Sequence, residues 1–87
     1  MSFIVHLSRR ANKFLKSTDK ELYNRVINKL KKLVEDPFPQ DAKRITGQKE
    51  KVFRVRVGDY RILYVVFLDK NAILVVNIGK RANVYSR

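Results

Sequence analysis

The stretch from Val52 to Leu68 constrains the fold more than any other part of the chain. Phe53, Val55 and Val57, then Tyr60, Ile62, Tyr64, Val66 and Leu68, place an apolar or aromatic residue at every second position. Gly58-Asp59 separates the two runs. A period of two is the mark of a strand with one buried face, and a two-residue turn containing Gly joins antiparallel neighbours. Val52–Val57 and Tyr60–Leu68 are therefore predicted to form a hairpin in which Val57 pairs with Tyr60, Arg56 with Arg61, and Arg54 with Leu63. The apolar set must face a core. The opposite face carries Arg54, Arg56 and Arg61, and beyond them Leu63, Val65 and Phe67.

The flanking segments supply what covers the core. Phe3–Leu7 reads as a short first strand. Ser8 is placed to cap a helix over Arg9–Lys16, and Thr18 with Glu21 has the T-x-x-E spacing of a capping box opening a second helix. That helix has an apolar stripe of Leu22, Tyr23, Val26, Ile27, Leu30, Leu33 and Val34. Its outer face carries Lys20, Arg25, Lys29, Lys31 and Lys32, and Pro37 ends it, because the residue before proline avoids the helical region. Lys43–Thr46 is a short strand or extended arm, with Gly47 as a break. Ile73–Ile78 forms a last strand after a turn at Lys70-Asn71. Two consecutive hairpins make the sheet antiparallel at its centre. The expected architecture is α+β: an N-terminal strand and a helical hairpin packed on one face of a mainly antiparallel sheet, in one domain spanning residues 1–87.

Charge narrows the partner. Twenty Lys and Arg against eight Asp and Glu give a formal net charge of +12, an excess that seeks a polyanion, with nucleic acid ahead of an acidic protein or a membrane surface. Like charges directly opposite on a sheet are destabilising by up to about 1 kcal/mol, so the Arg56–Arg61 pair points to a held anion. Asp59 and Glu50 are the near acids in sequence and cannot neutralise three arginines. The last strand brings further cations as Ile78-Gly79-Lys80-Arg81, and no acid occurs from Lys70 onward. A two-residue turn would set Arg61 against Lys80, and a shift of one residue would set it against Arg81. Tyr85 follows four residues after Arg81, where it could stack on a base, exchange a proton, or simply anchor the C-terminus.

Several chemistries have no support. There is no Cys, and one His, His6, lies in a strand and reads as structural. Phosphate-cradling, nucleophile-elbow and zinc-protease motifs are missing, and carboxylate spacing indicates no metal site. No cofactor is expected. No apolar run is long enough to span a bilayer, and Met1–Leu7 is too short for a signal peptide, so a soluble cytoplasmic protein is expected.

The hairpin Phe53–Tyr64, with its run Tyr60-Arg61-Ile62-Leu63-Tyr64, resembles the RelE/ParE toxin superfamily. So do Ile78-Gly79-Lys80-Arg81 followed by Val84-Tyr85, and the basic, glycine-ended Lys43-Arg44-Ile45-Thr46-Gly47. The resemblance covers nearly the whole chain. It implies a compact RelE-like fold, cleavage of messenger RNA in the ribosomal decoding site, and a RelB-like antitoxin that wraps the toxin. It places the active-site residues on Arg54, Arg56, Arg61, Arg81 and Tyr85; members often carry Lys where this chain has Arg54 and Arg56. With two residues after Tyr85, a C-terminal helix seen in some members is not expected. Cleavage by the RNA's own 2′-OH asks the protein to orient the phosphate and stabilise its charge. Arg61 and Arg81 suit that role, with Tyr85 for proton transfer or stacking. Lys43, Arg44, Arg54, Arg56 and Lys80 would bind flanking RNA. Leu63, Val65 and Phe67 form an expected exposed apolar patch for the antitoxin. The competing reading is a ParE-like inhibitor of DNA gyrase that performs no chemistry.

Overall fold

The computed structural model describes residues 2–45 and 51–80. Five strands form one sheet in the order β1-β5-β4-β3-β2, with β1 Ile4–Leu7, β2 Lys43–Ile45, β3 Val52–Val57, β4 Tyr60–Phe67 and β5 Ala72–Lys80. Neighbours are antiparallel except that β1 runs parallel to β5 at the edge. The expected hairpin is present in the expected register, with Val57 opposite Tyr60, Arg56 opposite Arg61 and Arg54 opposite Leu63. Gly58 has φ +59, so the first central residue of the turn adopts a conformation that costs glycine nothing.

Two helices, α1 Arg9–Ser17 and α2 Lys20–Glu35, cover one face. Ala11, Leu15, Leu22, Val26, Leu30 and Leu33 from the helices pack on Val55, Val57, Ile62, Tyr64, Ile73, Val75 and Ile78 from the sheet. Each fully buried aliphatic side chain here contributes roughly 1.5–3 kcal/mol. Two members of the apparent core leave it. Tyr23 is exposed, because the buried stripe of α2 is the narrower Leu22–Val26–Leu30–Leu33 row. Leu68 is exposed too, since the chain quits the sheet after Phe67 into a turn of 3₁₀ helix, Leu68–Lys70, closed by Asn71 at φ 50.

Helix starts are set by local chemistry. The Ser8 hydroxyl accepts from the Ala11 amide at 3.1 Å, as its position implied. At α2 the cap is Asp19, which accepts from the Leu22 amide at 2.8 Å, and not Thr18. Thr18 already ends α1 in an extended conformation. The charged acceptor one residue later takes the cap, where an anion also favours the positive end of the helix dipole.

The loop between α2 and β2 is tied to the sheet. Asp36 ends α2 and its carboxylate accepts from the Phe38 amide at 3.1 Å. Phe38 meets Phe53 edge-on at 5.1 Å. The Tyr64 hydroxyl donates to the Pro37 carbonyl at 2.7 Å inside the core. Burial, with Asp41 and Asp36 adding repulsion, pushes the Tyr64 phenol well above its ordinary range.

Candidate functional site

The hairpin fixes the first half of the site. Strand pairing puts Arg56 beside Arg61 and Lys43 beside Arg54 on the sheet face away from the helices. Among the described residues the ion pair within 4 Å is Lys29–Asp41, at 2.9 Å, so Arg54, Arg56 and Arg61 are not neutralised by partners there. Repulsion between Arg56 and Arg61 is left for a bound anion to relieve.

The last strand completes the site differently from expectation. Tyr64 pairs with Val75 but Leu63 pairs with Asn77, so Val76 is an extra residue on β5. This bulge reverses which face each later residue occupies. Ile78 enters the core, Gly79 stands opposite Arg61, and Lys80 stands opposite Tyr60. Neither Lys80 nor Arg81 is therefore the cross-strand neighbour of Arg61. The bulge is held from β1: the Ser8 amide donates to the Val75 carbonyl at 2.9 Å and its hydroxyl to the Val76 carbonyl at 2.6 Å. The Asn77 side chain accepts from the Ile78 amide at 2.9 Å. On the β5 side, therefore, the residue opposite Arg61 is Gly79, which offers backbone and no side chain.

At this end of the sheet Arg56, Gly58, Asp59, Arg61 and Lys80 line a cleft of about 460 Å³. Lys80 reaches it from the strand end, its Nζ 5.5 Å from the centre of the Tyr60 ring, which steers the ammonium by attraction to the aromatic face. Three cations face one carboxylate, so the cleft is suited to an anion of more than one charge or to a phosphodiester. Guanidinium groups bind such oxygens in a bidentate fork and remain protonated, so they can clamp and stabilise but not act as bases.

A second cleft of about 300 Å³, lined by Asp41, Lys43, Arg54 and Arg56, adjoins the first through Arg56. Its acid is already engaged: hydrogen bonding from Lys29, helped by the charges of Lys29 and Arg54, holds the Asp41 carboxyl below the usual carboxylate range. Arg44 does not join this set. It pairs with Phe53, on the helix side of the sheet, because alternate residues of β2 point to opposite faces. Arg81, Tyr85, Thr46 and Gly47 lie outside the described residues.

The expected apolar patch is not exposed. Leu63 and Val65 are 6% and 8% accessible, buried with Val52 and flanked by half-buried Ile45 and Val76 in a second small core on this face. Phe67 alone of the three is exposed. Among the described residues, the charged side chains of this face lie toward the Gly58–Asp59 turn and along the β2–β3 pairing. His6 is exposed on β1, at the far edge of the sheet from β2. No group of three or more His, Cys, Asp or Glu that could hold a metal occurs among the described residues.

Sequence reasoning passed over one contribution. A third cleft, of about 320 Å³, lies between α2 and the end of β3 and is lined by Arg25, Asn28, Lys29, Lys32, Arg56, Val57 and Gly58. The signal was present in the spacing of Arg25, Lys29 and Lys32 on one helical row, which alone reads as a solvated face.

The chain matches the profile of the ParE toxin of type II toxin–antitoxin systems, parDE, over residues 5–85. It is 36% identical over 92 aligned residues to a Methanocaldococcus jannaschii protein named "Putative toxin RelE1", covering 98% of this chain and 97% of the relative. Its fold is similar to the archaeal RelE–RelB complex from Pyrococcus horikoshii OT3, with a TM-score of 0.80 at 27% identity, over 94% of this chain and 98% of that one. It also superimposes on the toxin–antitoxin complex RelBE2 from Mycobacterium tuberculosis, with a TM-score of 0.81 at 18% identity, over 93% of this chain and all of the other. A five-stranded, mostly antiparallel sheet with two helices on one face is therefore the RelE-like fold, and this chain belongs to the ParE toxin family of type II toxin–antitoxin systems, within the RelE/ParE superfamily.

Proposed function

We propose that this toxin is an endoribonuclease that cuts messenger RNA, positioned on the ribosome in the cytoplasm. The observation that carries the reading is the cleft at the Gly58–Asp59 turn, where Arg56, Arg61 and Lys80 converge on space that one carboxylate cannot neutralise. Arg61 and Arg81 hold the scissile phosphate. The RNA 2′-OH attacks the adjacent phosphorus and loses its proton, the bond to the 5′-oxygen breaks, and that oxygen gains a proton. The products are a cyclic phosphate and a 5′-hydroxyl. Tyr85 serves in proton transfer or stacks on the base, while Lys43, Arg54, Arg56 and Lys80 hold flanking phosphates. Such a site works by orientation and charge stabilisation, with no cofactor.

Structures of similar fold are described as toxin–antitoxin complexes, and a RelB-like antitoxin is the proposed partner here. Its apolar contacts on the arginine face would fall on Phe67, since Leu63 and Val65 are already buried. Induction in cells followed by primer extension tests the function. Cuts within codons of translated message support the ribonuclease. Intact message accompanied by DNA damage overturns it in favour of a gyrase inhibitor.

A further inference from the structure

Two clefts meet at Arg56 and Gly58. One contains Arg61 and Lys80; the other runs up the outer face of α2 past Arg25, Lys29 and Lys32. β2 pairs with β3 only from Val52 to Arg54, so Arg56 and Val57 stand at an edge which β2 leaves uncovered. The α2 groove lines its open side with four cations and no acid. Lys29 shares its charge with Asp41, but Arg25 and Lys32 are exposed and have no ion-pair partner among the described residues.

The glycine at the junction has a second use beyond its turn geometry. A Cβ built on Gly58 would lie 2.7 Å from Nη2 of Arg25 and 3.4 Å from its Cζ. The Arg25 guanidinium thus rests against the turn, where a side chain would displace it. Arg25 bridges the α2 row and the hairpin cleft. From Arg25 to Lys32 the helix advances about 10 Å at 1.5 Å per residue. Cations spread over that length do not converge on one small anion. They suit a chain of regularly spaced charges.

We propose that the groove between α2 and the β3 edge is a second phosphate track, taking the sugar–phosphate backbone of the RNA strand outside the segment held at the hairpin cleft. This inference rests on the RNA reading given above and extends it: affinity comes from a strand that passes round the β3 edge, with Arg56 contacting both segments. The groove reads charge and not sequence, because Arg25, Lys29 and Lys32 present cations to backbone oxygens and no aromatic side chain lines it.

The test compares the wild-type chain with the double variant Arg25→Gln, Lys32→Gln. The probes are 2′-O-methyl RNAs, which cannot be cut by their own 2′-OH: a trinucleotide, and a single strand of about twelve nucleotides, the length scale of single-strand tracks. Binding is followed by fluorescence anisotropy from about 50 to 200 mM salt. Each neutralised phosphate of a single strand contributes about −0.7 to the slope of log K against log salt, so losing two contacts lowers the slope for the long probe by about 1.4, equivalent to an about sevenfold smaller loss of affinity over that range. The trinucleotide should bind both proteins alike. An unchanged slope for the long probe, with trinucleotide binding that still depends on Arg61, overturns the second track while leaving the RNA reading intact. Failure of the wild-type chain to bind the long probe also overturns the second track, whereas the RNA reading itself falls only if translated message stays intact in the primer-extension assay. Equal RNA slopes with weaker binding of an acidic polypeptide by the double variant assign the groove to a protein partner instead, and likewise overturn the proposal.

Discussion

Tyr64→Phe probes how the core supports the cationic face. Tyr64 is fully inaccessible, and its hydroxyl donates at 2.7 Å to the carbonyl of Pro37, itself buried. The contact pins the loop that leads into Asp41 and Lys43, hence the wall of the second cleft. Removing the hydroxyl leaves a buried carbonyl without its donor, which costs about 1–3 kcal/mol. For a domain of this size, each kcal/mol corresponds to a fall of about 4–8 °C in Tm. The effect must also depend on pH. Burial raises the folded-state pKa of the phenol above its unfolded value, so the folded chain keeps a proton that the unfolded chain releases. The stabilisation is complete below the unfolded pKa of about 10 and is lost as pH rises above it, at up to about 1.4 kcal/mol per pH unit. At pH 11 the wild type should have lost about 1.4 kcal/mol through this group alone, and the phenylalanine variant none. Urea melts of both proteins from pH 8 to 11, taken as a difference, cancel the titration of the lysines and other tyrosines. The stability gap between the two proteins should narrow with rising pH. A gap that stays constant or widens would refute the claim that Tyr64 is buried as the neutral phenol.

Other outcomes follow from the cleft and the helix cap. Arg61→Ala, and likewise Arg81→Ala, should reduce cleavage of ribosome-bound message by roughly 10- to 100-fold, the loss of a charged hydrogen bond of about 1.5–3 kcal/mol, with an unchanged circular dichroism melt; wild-type cutting rates in either variant would contradict the phosphate role. Tyr85→Phe separates two uses of that residue in the same primer-extension assay. A large loss indicates proton transfer or hydrogen bonding, whereas a small loss paired with a large one for Tyr85→Ala indicates stacking, and full activity in both removes Tyr85 from the mechanism. Asp19→Ala should destabilise the fold by about 1 kcal/mol through loss of the α2 cap, while Thr18→Ala should be milder; the reverse order in thermal melts would restore the capping role to Thr18.

The hairpin was legible because its information is local. Period-two apolar residues on both sides of Gly58-Asp59 admit one register that buries them, and slipping it by one would turn Arg54, Arg56 and Arg61 into the core. The same logic gave the pairing of Arg56 with Arg61, the rows of α2 that face the sheet, and the Ser8 cap. The choice of Asp19 over Thr18 was also local, but two adjacent candidates competed and the short link between the helices let only one of them cap α2.

The rest depended on contacts between distant segments. The bulge at Val76 has no signature in its own neighbourhood, because its carbonyl is held by Ser8, 68 residues away, at the end of a strand whose parallel pairing no turn announces. The four-residue turn from Leu68 to Asn71 sets β5 back by two positions from the register of a two-residue turn, and the one extra residue restores a single position, so Gly79, not Lys80, stands against Arg61 while Lys80 reaches the cleft over Tyr60. Burial of Leu63 and Val65 likewise needed Val52, Ile45 and Val76 from three other strands to assemble beside them. The groove joining α2 to the β3 edge required the helix to be laid across the sheet at the height of Gly58. Alternation along the chain determines which residues share a face. Only the packed structure decides what stands beside them, because strand stagger and helix placement are set by the fit of whole surfaces.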